Sequence, residues 1–530
     1  MTKVAAIIPT LYTITFEQSP IECFGARLIT VLGVERFRKE KSAGTRIVLP
    51  PSRGEGVEDW FPTLKQYPHF DKPIRLKDID KLVRDPQAVA RNSFYPFMRF
   101  EEKWQPFRDK QGGKPDKKIR QLRFASRRDA YIYSYYRHIL REPYEAVLTA
   151  RSLDSNVIAY RKLATLEGKG KSNIDFALDA FNVIREYGSA AVVTLDISKF
   201  FESIDHELLR QKWCGLLGVA ELPQDHAAVF RAITRYAIVD RDAAYERLGY
   251  LTWQAKGSGR IPVYTTGFKE MPRQLCANAE FREKICGKGG ALASLIEVNK
   301  DDFGIPQGSP ISDLLANLYL IDFDSALKVY VDAINGTFFR YSDDIIIIIP
   351  GADAEAVAAR DFAMAEIQKH GSKIVIKPSK TSVLRYYPAS NGQEFVKLHG
   401  EQGANGLEYL GFRYDGKAVY LRDATLSRLY RKVTRSIRAE ARALVRRYLG
   451  KNQAYIEKRF DASKFMQRYG RVADFDPAAS YDTWTFWTYA KRAIETFGAL
   501  GKPIGGQLGN YGNIVRTRMN HEIGKALARL

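Results

Sequence analysis

The chain has 530 residues, 82 of them Lys or Arg and 61 Asp or Glu, giving a formal charge of +21 and a pI near 9.5. This length supports a large buried core shared among about two to four domains, and 45% hydrophobic with 27% charged residues is the composition of an ordinary globular protein. The basic excess favours a polyanionic partner, because neutralising phosphates releases counterions, over a basic protein with no nucleic-acid partner. Cys23, Cys214, Cys276 and Cys286 lie far apart, which argues against a disulfide framework or a zinc module and fits a reducing cytoplasm. None of the seven histidines forms a close ligand pair. The apolar run Ile345–Pro350 is far too short to cross a bilayer, so no membrane association is expected.

Along the chain, MTKVAAIIPTLYTITF reads as a buried strand rather than a signal peptide, because Pro9 interrupts its apolar run. Residues 41–75 are rich in Pro, Gly and charge and read as loop. From Phe94 to Tyr144 basic and aromatic residues interleave, and a helix is expected after Ser126, with Ala130, Ser134, His138 and Arg141 near one face. These aromatics either stack on bases beside phosphate-binding cations or form a core helix with a solvated basic face. Residues 190–420 alternate apolar strands with helices. From about Leu421 the chain is helical and basic: Leu426, Leu429, Val433, Ile437 and Leu444 form an apolar stripe, and Arg428, Arg431, Lys432, Arg435, Arg438, Arg442, Arg446 and Arg447 crowd the rest. WTFWTYAKRAIETFGAL continues as helix, followed by a Gly-rich turn and a final short helix.

Three segments carry chemistry. In AAVVTLDISKFFESIDHELL a buried-type strand, Ala190–Leu195, ends at Asp196, with a helix starting near Ile204. Alone, Asp196 would more often be simply a turn or cap residue. In FFRYSDDIIIII two apolar runs flank Ser342, Asp343 and Asp344, predicting a hairpin with paired carboxylates at its tip. Adjacent acids between buried strands repel each other, and a divalent cation such as Mg2+ removes that cost. In GIPQGSPISDLLANLYL, Gly304, Pro306, Gly308 and Pro310 form a tight loop before a helix carrying Leu314, Leu315 and Leu318, and its glycines allow close backbone approach to a nucleotide or base pair.

In this order the three segments resemble the reverse-transcriptase family. Asp196 with Phe200 and Phe201 matches its motif A, Pro306-Gln307-Gly308-Ser309-Pro310 its motif B, and Tyr341-Ser342-Asp343-Asp344 its motif C. PSKTSVL resembles motif D, with Lys380 at the family's lysine, LEYLGF (Leu407 to Phe412) resembles the primer grip, and KKIRQLRF resembles the triphosphate-holding fingers segment through Arg120 and Lys118. The resemblance covers roughly residues 100–420. It implies an α+β right-hand polymerase: an N-terminal extension (1–90), fingers (91–189), an antiparallel-sheet palm (190–420) and a helical, basic thumb or C-terminal domain (421–530). It also implies an RNA-directed DNA polymerase that adds dNTPs with two Mg2+ ions, or Mn2+, held by Asp196, Asp343, Asp344 and the Ile197 carbonyl. Arg120 and Lys118 would clamp the triphosphate, Gln307 and Gly308 line the nucleotide pocket, and Lys380 donate a proton to the pyrophosphate. Phe201, five residues after Asp196, would crowd a ribose 2′-hydroxyl and select deoxynucleotides, whereas Phe200 suits the core; Asp205 and His206 suit structural roles.

About a hundred residues separate motifs A and B, a long insertion with a Trp- and Gly-rich patch. The sequence shows no zinc or His-Asn-His nuclease segment, no acidic RNase H cluster, and no N-A-x-x-H element of retron enzymes, since CANAE at Cys276–Glu280 lacks the histidine. The chain looks similar to bacterial defence-associated and abortive-infection reverse transcriptases, which pair the palm with a helical C-terminal extension. Members of that branch act against phages, and several form homo-oligomers, use a partner non-coding RNA, or start DNA on a tyrosine without a template. A cytoplasmic enzyme binding RNA and its DNA product is therefore expected. The rivals are an intron or mobile-element enzyme copying its own RNA, a non-catalytic nucleic-acid binder, and an RNA polymerase, the last disfavoured by Phe201.

Overall fold

The computed structural model describes residue 60 and residues 62–104, 118–257, 259–267, 270–351, 353–401, 403–461, 465 and 486–529. The strand expected at the N-terminus and the first part of the loop over 41–75 fall outside the described residues. From residue 62 to 75 the chain is irregular, as its Pro and Gly content implies.

β1 (Phe97–Trp104) and β2 (Lys118–Phe124) pair antiparallel, and Ser126 then caps the long helix α1 (Arg127–Ala150) by accepting from the Asp129 N–H. Helix α2 (Asn173–Tyr187) starts at a capping box formed by Ser172 and Asp175. It leads into β3 (Ala190–Asp196) and helix α3 (His206–Leu217). The long insertion supplies β4 (Ala237–Asp240), a separate hairpin of β5 (Leu251–Lys256) and β6 (Gly259–Tyr264), and β7 (Ile296–Val298). β4 and β7 extend the first pair into a four-stranded sheet of order β2-β1-β4-β7. Helices α4 (Ser312–Tyr319) and α5 (Ile321–Ala333) precede the hairpin of β8 (Thr337–Tyr341) and β9 (Asp344–Pro350). Helix α6 (Asp353–Ile367), β10 (Ser382–Ala389) and β11 (Gly392–Gly400) follow, then the small sheet β12 (Leu407–Tyr409), β13 (Phe412–Tyr414) and β14 (Val419–Leu421). The chain ends in α7 (Asp423–Arg447), α8 (Phe486–Phe497), α9 (Lys502–Leu508) and α10 (Tyr511–Leu527).

The fold is thus α+β with a helical C-terminal region, as expected, and its sheets are antiparallel apart from the parallel β1–β4 pair. Its centre is a five-stranded antiparallel sheet of order β11-β10-β3-β9-β8. Successive strand residues face opposite sides, so each strand feeds two cores. Ala191, Val193 and Leu195 of β3 and Ile345, Ile347 and Ile349 of β9 pack with α1, α4, α5 and α6. Ala190, Val192, Ile346 and Ile348 pack instead with α2, the β12–β14 sheet and α7 to α10. This two-sided burial explains the unbroken isoleucine run of β9.

In α1 the aromatics Tyr133, Tyr136 and Tyr144 are core residues, so the core-helix reading holds for them and base stacking does not, while Tyr131, also buried, lines a cleft. Helix α7 begins at Asp423 rather than Leu421, because Leu421 completes β14. Its stripe is buried through Leu429, Val433, Ile437 and Leu444, extended by Ala441 and Val445, while Leu426 is half-buried. The final helix is longer than expected, at 17 residues.

One charged pair lies inside this framework. Arg340 of β8 and Asp324 of α5 are both 0% exposed and meet in a two-pronged bridge of 2.6 and 2.5 Å. The remaining Arg340 nitrogen donates to Asn317 Oδ1 at 2.9 Å and to the Ser342 carbonyl at 3.2 Å. Removing one member strands a buried charge, so Asp324→Ala should cost about 3–5 kcal/mol in denaturant unfolding. The double replacement Arg340→Met with Asp324→Leu should cost less than Asp324→Ala alone. Equal or greater loss in the double variant would contradict this account.

Candidate active site

The register of the central sheet assembles the acids. β3 and β9 run antiparallel so that Asp196, the last residue of one, is the direct partner of Asp344, the first of the other. The β8–β9 hairpin closes between Tyr341 and Asp344, leaving Ser342 and Asp343 as a two-residue turn with Ser342 at φ +60°. The turn therefore carries Asp343, while Asp344 already belongs to the strand. The hairpin is held from several sides. The Ile197 N–H donates to the Asp343 carbonyl at 3.0 Å, and Tyr160 Oη donates to Ser342 Oγ at 3.1 Å. From below, Arg340 holds the Ser342 carbonyl. The segment after α6 crosses the strand end, where the Lys377 N–H donates to the Asp196 carbonyl at 3.0 Å and the Ser198 N–H to the Val375 carbonyl at 2.8 Å.

Burial pushes the Asp344 carboxyl up to about 8 and raises Asp343 as well, with neighbouring carboxylates adding to both. Lys380 and Arg120 oppose the rise at Asp343, and Arg422 and Lys380 oppose it at Asp344. The Lys380 ammonium forms an ion pair with Asp196 itself. An all-oxygen donor set of carboxylates beside backbone carbonyls suits a hard divalent cation. Among the described residues no three His, Cys, Asp or Glu side chains form a ready-made metal cage, and Asp196 is engaged by Lys380. The donors are gathered at one sheet end, and a cation would draw them together against their mutual repulsion.

The glycine-rich loop is a strap between two parts of the protein. Gly304 and Ile305 donate to the Ile204 and Phe201 carbonyls at 2.7 and 2.8 Å, tying the loop to the turn after Asp196. At its other end the Arg123 N–H of β2 donates to the Gln307 carbonyl at 3.3 Å. Gly308 has φ +107°, and a Cβ there would stand 2.4 Å from the Arg123 carbonyl oxygen. A Cβ on Gly304, at φ +88°, would stand 3.2 Å from the Glu202 carbonyl. Close approach is thus already demanded by the protein's own backbone at both glycines.

The other expected residues distribute as follows. Phe200 is buried in the core at 3% exposure, whereas Phe201 is half-buried, its ring 5.7 Å from that of Phe200. Asp205 caps α3 by accepting from the Leu208 N–H, and buried His206 bonds the Gly304 carbonyl at 2.8 Å, so both have structural roles. Arg120 lies on β2 opposite Glu102 and within electrostatic reach of Asp343. Lys118 opens β2, and its side chain lies outside the described residues. Sequence reasoning missed Tyr160, Arg340, Asp324, Asn317 and Arg422. Arg340 had a readable signal: a cation inside an apolar strand needs a buried partner.

Residues 295–414 match the family model described as reverse transcriptase (RNA-dependent DNA polymerase), a stretch that holds the strap, the hairpin and Lys380 but not Asp196. This segment is a reverse-transcriptase domain. No curated protein matches the chain in sequence. Similar solved structures include apo telomerase from Candida tropicalis, 10% identical over 80% of this chain and 65% of that one, with a TM-score of 0.33. Telomerase from Candida tropicalis in complex with a TWJ fragment of telomeric RNA is 12% identical over 85% and 65%, with a TM-score of 0.31. The corresponding Candida albicans complex is 9% identical over 84% and 65%, with a TM-score of 0.33. The chain therefore spans less than two thirds of the length of each.

The strap gives a direct test. Gly308→Ala adds a methyl against a backbone carbonyl at positive φ and should cost about 1–3 kcal/mol in thermal unfolding, together with any activity that depends on the strap. Gly512→Ala, in α10 with nothing near the added methyl, should be neutral or stabilising by about 1 kcal/mol. Equal melting of the two variants would remove the strap's role.

Proposed function

We propose that the chain is an RNA-directed DNA polymerase whose catalytic acids are Asp196, Asp343 and Asp344. The observation that carries this reading is the cross-strand partnership of Asp196 with Asp344, with Asp343 in the turn beside them. When bound, two Mg2+ ions would supply activation of the primer hydroxyl and neutralisation of the leaving pyrophosphate. Asp196 and Asp343 would hold them with the Ile197 carbonyl, and Asp344, the acid whose carboxyl burial raises to about 8, would support the pair. Arg120 would orient the triphosphate. Lys380, released from Asp196 once that carboxylate has another cation to balance, would be free to protonate the pyrophosphate.

The wider role proposed is antiphage defence in the bacterial cytoplasm, resting on the sequence resemblance and on the basic helical extension. Sequencing the nucleic acid that purifies with the protein, and the DNA it makes from supplied dNTPs, tests this. A single copied non-coding RNA, or untemplated DNA joined to a tyrosine, supports it, whereas copying of a surrounding intron or mobile element refutes it.

Asp196→Ala or Asp343→Ala should reduce incorporation by about a thousandfold or more while sparing the fold. Without divalent cation, Asp343→Asn should melt above wild type, because it removes one of three crowded carboxylates. Wild-type incorporation by either alanine variant would sink the proposed site.

For sugar choice, Phe201→Ala should narrow the dNTP-to-NTP preference in single-nucleotide incorporation, with the buried Phe200 still in place. An unchanged ratio in an active variant would assign Phe201 to packing.

Helix α7 is proposed to grip nucleic acid. Arg438 is paired with Glu522 of α10 at 2.9 Å, so the face to test is the exposed row Arg435, Arg442 and Arg446, which helical spacing stacks on one side. Replacing all three with Gln should reduce the slope of log affinity against log salt by about 0.7–0.9 for each phosphate that the helix no longer neutralises. Parallel salt titrations of equal affinity would assign this face to solubility alone.

A further inference from the structure

A cleft of about 290 Å³ lies between the irregular segment before residue 76 and the start of α1. Its lining includes four cations, Lys65, Arg75, Arg127 and Arg273, and no described acid. Three lining residues are almost wholly inaccessible: Lys65 at 8%, Arg127 at 1% and Tyr131 at 2% exposure. Leu64 and Leu76, with Arg75 and Arg273, are exposed and form the rim.

Two of these cations are accounted for by the fold. Arg75 pairs with Asp78 at the surface, and Arg127 bridges Asp71 through Nε and Nη2. The third guanidinium nitrogen of Arg127, Nη1, is buried without a hydrogen-bond partner, and so is Gln66 Oε1 in the same wall. The Lys65 ammonium lies 5.8 Å from the centroid of the Tyr131 ring. Burial alone lowers its pKa to about 8, with no acid offsetting the cost. Unpaired buried polar atoms such as Arg127 Nη1 and Gln66 Oε1 are expensive and rare in a finished core. Gathered on a cleft with a cationic rim, they mark a place where a ligand completes the hydrogen bonding.

We propose that this cleft binds a nucleotide unit, its phosphate held by Lys65, Arg127 Nη1 and Arg273 and its base laid among Tyr131, Leu64 and Ile74. The charge calls for an anion, because one phosphate satisfies both Arg127 Nη1 and the Lys65 ammonium. The volume and the apolar part of the lining call for more than a bare phosphate. Gln66 Oε1 accepts from a sugar hydroxyl or base amine, a group that inorganic phosphate lacks. The site is built from residues apart from the carboxylate cluster, so it stands or falls independently of the polymerase reading. The unit is either a free mononucleotide or the 5′-phosphorylated end of a strand.

The test uses the full chain and three probes without divalent cation: inorganic phosphate, AMP, and an oligonucleotide with or without a 5′-phosphate. AMP should bind saturably in calorimetry and more tightly than inorganic phosphate, and Asp343→Ala should leave this unchanged. Lys65→Gln and Arg273→Gln should each weaken AMP about tenfold or more, the loss expected of a charge-assisted hydrogen bond. Arg273 is exposed, so its variant remains informative if the buried Lys65 change unfolds the chain. Tighter binding of the 5′-phosphorylated than the 5′-hydroxyl oligonucleotide, erased by Arg273→Gln, would assign the cleft to a strand end. If neither AMP nor the 5′-phosphate is recognised, or if Arg273→Gln binds both as wild type does, the proposal is overturned.

Discussion

The antiparallel pairing of β3 with β9 is the constraint on which the rest depends. It fixes Asp196 opposite Asp344, and the same register sends alternate side chains into two separate cores. A slip of one residue would exchange those faces and pull the acids apart, so packing on both sides protects the geometry of the sheet's end. The cost is that three carboxylates share a poorly solvated corner. The protein tolerates this because the hairpin is anchored by groups with no alternative, above all the fully buried Arg340 and its partner Asp324. Such a pair contributes little net stability compared with an apolar replacement, but it ties the turn to α5 through the Ser342 carbonyl.

Cations approach that corner from three directions. Arg120 comes from β2, Lys380 from the turn before β10, and Arg422 from the residue preceding α7, where it is also bridged to Glu408 of β12. Each belongs to an element whose position is set by other contacts, so the positive field around the acids is fixed before any ligand arrives. A corner that repels its own charges yet is ringed by cations suits a reaction that brings in both metal ions and phosphates.

Much of this was legible in the sequence, and the reason is local. A strand ending in an acid, a hairpin flagged by apolar runs around two acids, and a glycine-rich turn before a helix are each contained within about twenty residues. What escaped were partnerships across long separations. Nothing near Arg340 names Asp324 or Asn317, and nothing near Gly308 names Arg123, since these neighbours exist only once the sheet and strap are folded. The tyrosines of α1 show the opposite failure. Their interleaving with arginines suggested a stacking surface, but the helix turns Tyr131, Tyr133, Tyr136 and Tyr144 inward and leaves the basic positions between them more exposed. Composition named the residues, and only the helical phase could assign them.

The same phase argument links the C-terminal helices to the acidic corner. Helix α7 buries its apolar stripe in the core that receives Val192, Ile346 and Ile348 from the central sheet, and α10 packs along it through Arg518, which donates to Thr434. The sheet's far face therefore supports the basic helix directly, without a flexible linker between them. Arg422, immediately before α7, carries that connection to Asp344 electrostatically. A phosphate backbone drawn to the exposed arginines of α7 would therefore act on an element that shares its packing with the acid-bearing strands, and any shift of the helix would have to be absorbed by the core they hold in common. Strain of that kind travels well through a close-packed interior, which makes the cationic helix part of the same mechanical unit as the acids.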